Sequence, residues 1–335
     1  MYFRSEREDR IMSGSLEAFT VEQKQTAHNL LAIHVAHMMG RKLEEADWTN
    51  VYCRAKGIPC SGWSNLDIDV AHDSLGVEQK MLRLPSKRDI ASACGERFMH
   101  PSLTRSIRMP PTTTPPDVAM RDVLDQYGRL VDERTEKIRA TSGNNSEPDM
   151  RIGWLLWQDS LRQFLYFEER MRKPDPSDYF ATWNVSPPRG QRKGSTSLWI
   201  FERETGIKRY SVTTDAGAKI QPYFEVPPIT DPNICIFTVI GEVILTGQVR
   251  VWITASTARE LKSTIGDLGV ETLSHTVLEH ATSVIEQGPQ EVSEHEIAQP
   301  YIVTLEAYNA LIKAFPGVSD EHSFQLLAEY LRNRG

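Results

Sequence analysis

Apolar residues recur at helical spacing through residues 16–46, where Leu16, Phe19, Leu30, Leu31, Ile33, Val35 and Met38 predict a helix that Gly40 ends or breaks. Asp47 is a fair N-cap for a second helix over about 47–56, stopped by Gly57-Ile58-Pro59. The pattern then changes. Leu66-Asp67-Ile68-Asp69-Val70 alternates apolar and acidic, which predicts a strand with one acidic face. His72 to Gly76 reads as a turn and Val77 to Leu82 as the return strand of a β-hairpin. If residues 72–75 close it, Ala71 pairs with Gly76 and Asp69 faces Glu78. Further on, PPTTTPPD (110–117) is a connector in which Asp117 caps a helix over about 118–140, and residues 141–149 form a loop. Residues 150–172 read as a long aromatic helix whose Trp154, Trp157, Phe164 and Phe167 serve burial. From 197 the chain turns to strands: a hairpin around Glu204-Thr205-Gly206, then NICIFTVIGEVI and QVRVWITAST. The last seventy residues read as mainly helical and acidic.

Length and charge refine this picture. The 335 residues suit about two domains. The expected division is 1–145, carrying the hairpin, and 146–335, with strands over about 197–257 and helices over about 258–335. No stretch is long and apolar enough for a membrane span, and the polar N-terminal residues predict no secretory leader. Four cysteines without a C-x-x-C pair predict reduced thiols and a cytoplasmic protein. The net charge of -7 excludes a uniformly basic coat. That acidity is local, however. Residues 261–329 hold 11 acidic side chains against two lysines, so the rest of the chain is mildly basic.

The sharpest chemical signal is the hairpin. Side chains two apart on a strand share a face, so Asp67 and Asp69 point one way, and so do Glu78 and Lys80. Opposed carboxylates destabilise a sheet unless something neutralises them. Lys80 supplies one partner, and a divalent cation with carboxylate ligands would supply the rest. The acidic-x-Lys triplet by itself carries little information. The chain has three, including a second copy of VEQK at Val21–Lys24 and Glu260-Leu261-Lys262, and only the triplet at 78–80 follows an acidic strand and a turn. The plain alternative is a surface hairpin with charged outward positions.

At Asp69 (or Asp67), Glu78 and Lys80 the sequence resembles the PD-(D/E)xK nuclease superfamily, which includes many restriction and repair endonucleases. The resemblance covers roughly residues 40–110, and the proline often found before the aspartate is absent. It implies an α/β, restriction-endonuclease-like mixed sheet flanked by helices, with additional β-rich and helical parts toward the C-terminus. It also implies Mg²⁺-dependent cleavage of DNA, with Mn²⁺ able to substitute. Asp69, Glu78 and Asp67 would hold the metal and Lys80 would serve the attacking water. A helix glutamate before the hairpin, Glu44 or Glu45, would add to the set.

Beyond the hairpin, residues 80–108 carry seven positive side chains against two negative ones. Arg83, Lys87, Arg88, Arg105 and Arg108 are candidates for contacts with phosphates, and His100 lies among them. Arg189, Arg192 and Lys193 form a second basic loop. The reading is a type II restriction-type endonuclease acting on double-stranded DNA as a homodimer, since palindromic sites suit two-fold proteins. The alternative is a DNA-binding or interaction protein without catalysis that uses the same basic segment.

Overall fold

The computed structural model describes residues 15–38, 42–59, 68–85, 87–100, 104–141, 147–188, 194–213, 218–281 and 297–333. Two helices open the chain. α1 is Val21–Ala36, begun by a capping box in which the Thr20 hydroxyl accepts from the Gln23 N–H and the Gln23 side chain accepts from the Thr20 N–H. It is shorter than the pattern predicts. Leu16 instead forms an isolated bridge to Glu168, so the apolar residues before Thr20 reach the core from extended chain. α2 is Glu45–Lys56 and ends at Gly57, whose φ of +69° closes the helix in the left-handed conformation. Glu44, not Asp47, stands at its N-cap. Asp47 lies inside the first turn and accepts the Glu44 N–H at 2.9 Å.

β1 is Val70–His72 and β2 is Leu75–Leu84. Their register pairs Ala71 with Gly76, as expected, and continues to His72 with Leu75, leaving a two-residue turn in which Asp73 has φ +48°. The first strand starts later than the alternation suggests. Asp69 is a bend just before β1, and Asp67 lies outside the described residues. β3 (Arg97–Met99) and β4 (Thr104–Ile107) follow, then α3 (Pro116–Thr141). Asp117 is in the first turn of α3, where its carboxylate accepts the Ala181 N–H at 2.8 Å.

Residues 150–172 are not a helix. They form β5 (Asp149–Gln158) and β6 (Gln163–Arg170), an antiparallel hairpin at the centre of the main sheet. Both faces of these strands are covered, so apolar residues run consecutively and the two-residue period is hidden. The expected burial of Trp154, Trp157, Phe164 and Phe167 holds. β7 (Tyr179–Ser186), β8 (Ser195–Glu202), β9 (Lys208–Thr213) and β10 (Ala218–Glu225) follow, with β8 and β9 joined through the anticipated turn at Gly206. NICIFTVIGEVI holds two strands, β11 (Cys235–Thr238) and β12 (Glu242–Leu245), which join different sheets. β13 (Gln248–Thr254), α4 (Ala255–Ile265), α5 (Val270–His280), β14 (Ala298–Thr304), α6 (Leu305–Ala314) and α7 (Asp320–Arg332) complete the described chain.

The protein is thus mixed α/β. The main sheet has the order β1-β2-β5-β6-β11, with β2 parallel to β5 and every other pair antiparallel. Because β2 lies before residue 145 and β5 after it, this sheet runs across the division expected there. One face carries Val77, Leu155, Phe164 and Tyr166 against α1 and α2. The opposite face carries Ile152, Trp154, Leu156 and Phe167. They meet α3 and the inner side of a six-stranded sheet ordered β3-β10-β9-β8-β7, with β4 also on β10. A third sheet, β12-β13-β14, builds its own apolar core with α4 to α7. Among the described residues no helix is long and apolar enough to cross a membrane. Cys53, Cys94 and Cys235 are free thiols.

Candidate active site

β1 covers only the first three residues of β2, up to the Val70–Val77 pair. From Glu78 onward, among the described strands, the outer edge of β2 has no partner, while its inner edge pairs with β5 through to Leu84. The expected constellation sits at this open edge. The Asp69 carboxylate turns back and accepts the Gln79 N–H at 2.7 Å, replacing a ladder bond and ending the strand. Glu78 and Lys80 are 5% and 8% exposed, which is rare for charged side chains unless they are paired. Lys80 Nζ stands 2.8 Å from Glu78 Oε1 and donates at 3.0 Å to the Gln79 carbonyl. It is also 3.8 Å from Glu45 Oε1, so the lysine bridges the strand carboxylate and the first turn of α2. Of the two helix glutamates suggested by sequence, Glu45 therefore joins the site. Glu44 is exposed at the helix cap.

Sequence reasoning missed Arg134. It projects from α3 to Glu78, with Nη1 3.1 Å from Oε2 and Nη2 3.3 Å from Oε1. Two cations thus share one buried carboxylate, yet Glu78 Oε2 makes no hydrogen bond. Asp69 has the opposite balance. Burial, then the negative charges of Glu78 and Glu45, push its carboxyl well above the usual carboxylate range, against the pull of Lys80 and the Gln79 N–H. Protonation, or a nearby cation, relieves this arrangement.

Gln79 was also missed, because its side chain lies on the other face of the strand. Its Oε1 accepts from Trp48 Nε1 of α2 at 3.2 Å, and Tyr166 Oη of β6 lies equally close. Tyr166 in turn donates to the fully buried Glu168 at 2.9 Å. The residue between Glu78 and Lys80 is therefore pinned from behind by the helix that carries Glu45. Its main chain meanwhile holds Asp69 and Lys80.

Among the described residues no group of three or more His, Cys, Asp or Glu side chains is arranged to hold a metal ion. Lys80 and Arg134 take up the oxygens of Glu78 instead. The donor chemistry nonetheless fits a hard cation. Asp69 and Glu78 offer carboxylate oxygens only, and one of these is buried without a hydrogen bond.

The basic segment is less available than its composition suggests. Arg83 is exposed but ion-paired with Asp159 at 3.0 Å. Arg88 is held by Glu96 at 2.6 Å and by Ser92. His100 is buried, with Nε2 3.2 Å from the Met81 carbonyl on the open edge of β2, and so does not reach outward to a phosphate. Lys87 and Arg108 are exposed. The Arg105 side chain, and all of Arg189, Arg192 and Lys193, lie outside the described residues. No family model matches the chain, and no curated protein or solved structure shows significant similarity to it.

Proposed function

We propose that this protein is a Mg²⁺-dependent endodeoxyribonuclease with a restriction-endonuclease-like core, cutting double-stranded DNA as a cytoplasmic homodimer. The observation that carries the reading is the meeting of Asp69, Glu78, Lys80 and Glu45 at the unpaired edge of β2. A cation held by Asp69 and Glu78, Mg²⁺ or Mn²⁺, would supply a polarised water and positive charge beside a phosphoryl oxygen. Lys80 orients the water and offsets charge that builds on the phosphate. Glu45 keeps the lysine at the edge. Arg134 holds Glu78 in place, and the exposed Lys87 and Arg108 meet the DNA backbone. Purified protein incubated with varied duplex DNA and Mg²⁺ or Mn²⁺ is expected to cut, and Lys80→Ala to abolish cutting. Failure of the wild type on all substrates, or cutting that survives Lys80→Ala, rejects the reading.

One observation favours the second reading, a DNA-binding protein without catalysis that uses residues 80–108. Glu78 already has its charge balanced by Lys80 and Arg134. That reading requires salt-sensitive DNA binding, unchanged by Asp69→Ala, in a protein that binds no divalent metal.

A further inference from the structure

We infer that the outward face of the six-stranded sheet is a stacking platform for single-stranded nucleic acid. In β8, Leu198 and Ile200 point into the core, so Trp199 and Phe201 point outward. Phe180 of β7 pairs with Phe201 across the strands, their rings stacked at 5.3 Å and 16°. Trp199 meets the edge of Phe201 at 6.5 Å. Lys208 of β9 lies over Trp199 at 3.7 Å and over Tyr223 of β10 at 4.8 Å. Arg97 of β3 covers the other side of this group, 5.4 Å from the Tyr223 ring. A stripe of four rings and two cations therefore crosses five neighbouring strands, a span of roughly 19 Å at the usual strand spacing.

None of the four rings belongs to the apolar cores, and each is half-buried. The outward face of an antiparallel sheet is ordinarily polar, so aromatics gathered there without a core to fill point to a ligand. The charges select which one. Among the described residues of these strands, Arg97, Lys208, Arg209 and the exposed Lys219 stand with Glu202 and Glu225, which pair with Arg209 and Arg97. The excess is positive and interleaved with the rings. Flat rings accept unpaired bases and cations beside them accept phosphates, which is the chemistry of a single strand. A duplex keeps its base faces stacked inside and offers nothing to these rings. The inference goes beyond the hydrolytic reading and does not depend on it.

The test is fluorescence anisotropy of a labelled single-stranded deoxyoligonucleotide, with EDTA present so that cutting plays no part. The wild type is expected to bind the single strand, and the same sequence as a duplex is measured separately because the β2 edge would hold it. Trp199→Ala is expected to weaken binding about tenfold, Tyr223→Ala to act in the same direction, and Lys208→Glu to weaken binding and flatten its salt dependence. Lys208→Glu leaves the rings in place, so it keeps the test open should a ring variant fold poorly by thermal melting. No binding of the single strand, or a folded Trp199→Ala,Tyr223→Ala protein that binds it like wild type, overturns the inference. Binding that persists while Mg²⁺-dependent cutting is absent would reject the nuclease reading alone.

Discussion

Two of the places where the protein buries carboxylates treat them in opposite ways. In the C-terminal module, Glu321 is fully buried and accepts from neutral donors. The Thr254 N–H, the Thr254 hydroxyl at 2.8 Å, the Thr257 hydroxyl at 2.5 Å and Gln325 Nε2 at 2.8 Å converge on it. Its neighbour Asp320 accepts from the Tyr308 hydroxyl at 3.0 Å and from the Gly241 N–H. Glu321 locks the start of α7 onto the start of α4 and the end of β13, and Asp320 ties it to α6 and to Gly241, so part of the acidity of the C-terminal segment is internal structure. At the open edge of β2 the acids face each other instead. Asp69 has one N–H and two negative neighbours, and Glu78 is balanced by long cationic side chains from two different elements. Neutral donors aimed at a buried acid stabilise a fold. Like charges left in contact do not, and their retention is what a site for chemistry requires.

The largest expected effect tests that distinction at the β2 edge. Asp69→Asn should lower DNA cleavage by roughly a thousandfold and Lys80→Ala should abolish it, measured as the initial rate of duplex nicking. Stability should separate them. Asp69→Asn removes a source of repulsion, so its urea midpoint at neutral pH should equal or exceed that of wild type. Lys80→Ala leaves Glu78 with Arg134 alone and should cost about 1 to 2 kcal/mol. If Asp69→Asn unfolds more easily than wild type by a clear margin, Asp69 is a structural cap and the contrast between the two regions fails.

Next in size is the C-terminal acid. Glu321→Ala strands buried donors at the start of α4 and should cost about 3 kcal/mol in denaturant unfolding. Cleavage per folded molecule should remain unchanged, because nothing in this cluster reaches the β2 edge. A comparable loss of cleavage at full folding would mean that the two regions are coupled.

The hairpin was legible from sequence because its signal is local. Alternation, turn and register lie within about twenty residues, and the strand pairing of Ala71 with Gly76 follows from counting. The helix glutamate was legible only as a pair of neighbours, since nothing in the sequence decides whether Glu44 or Glu45 turns toward the strand. The first turn of α2 decides it. Arg134 was not legible at all. It stands 56 residues from Glu78 on a helix rich in charged residues, and only the packing of α3 on the main sheet selects it from its neighbours. The misreading of β5 and β6 as a helix has a different origin. Trp154, Leu155, Leu156 and Trp157 are all buried because the sheet is covered on both sides, and a run without alternation does not separate strand from helix.

That covered sheet gives an intermediate test. Gly153 of β5 lies beneath the Gln79 and Tyr166 side chains, and an added Cβ would press into both. Gly153→Ala should cost about 2 kcal/mol in urea unfolding. It should also disturb cleavage more than Glu321→Ala does, because Gln79 holds the backbone between Glu78 and Lys80. Equal stability to wild type would show that the two side chains move aside freely and do not pin the strand.

The last comparison separates the two regions by pH. Burial raises the Asp320 carboxyl from its ordinary 3.8 to about 7, against the hydrogen bonds from Tyr308 and Gly241. A carboxyl raised on folding binds its proton more tightly in the native state, so its stabilising contribution is complete below about pH 4 and is lost as pH rises through 7. The slope it can add is at most one proton, about 1.4 kcal/mol per pH unit. Asp69 is displaced in the same direction and adds a slope of the same sign. Asp320→Asn and Asp69→Asn should each flatten part of the decline in stability between about pH 4 and 7, followed by urea unfolding at a series of pH values. Mg²⁺ separates them. If Asp69 holds the cation, added Mg²⁺ flattens the part due to Asp69 in Asp320→Asn and leaves the decline in Asp69→Asn unchanged. A decline that Mg²⁺ alters equally in both variants would mean that the cation acts elsewhere in the protein.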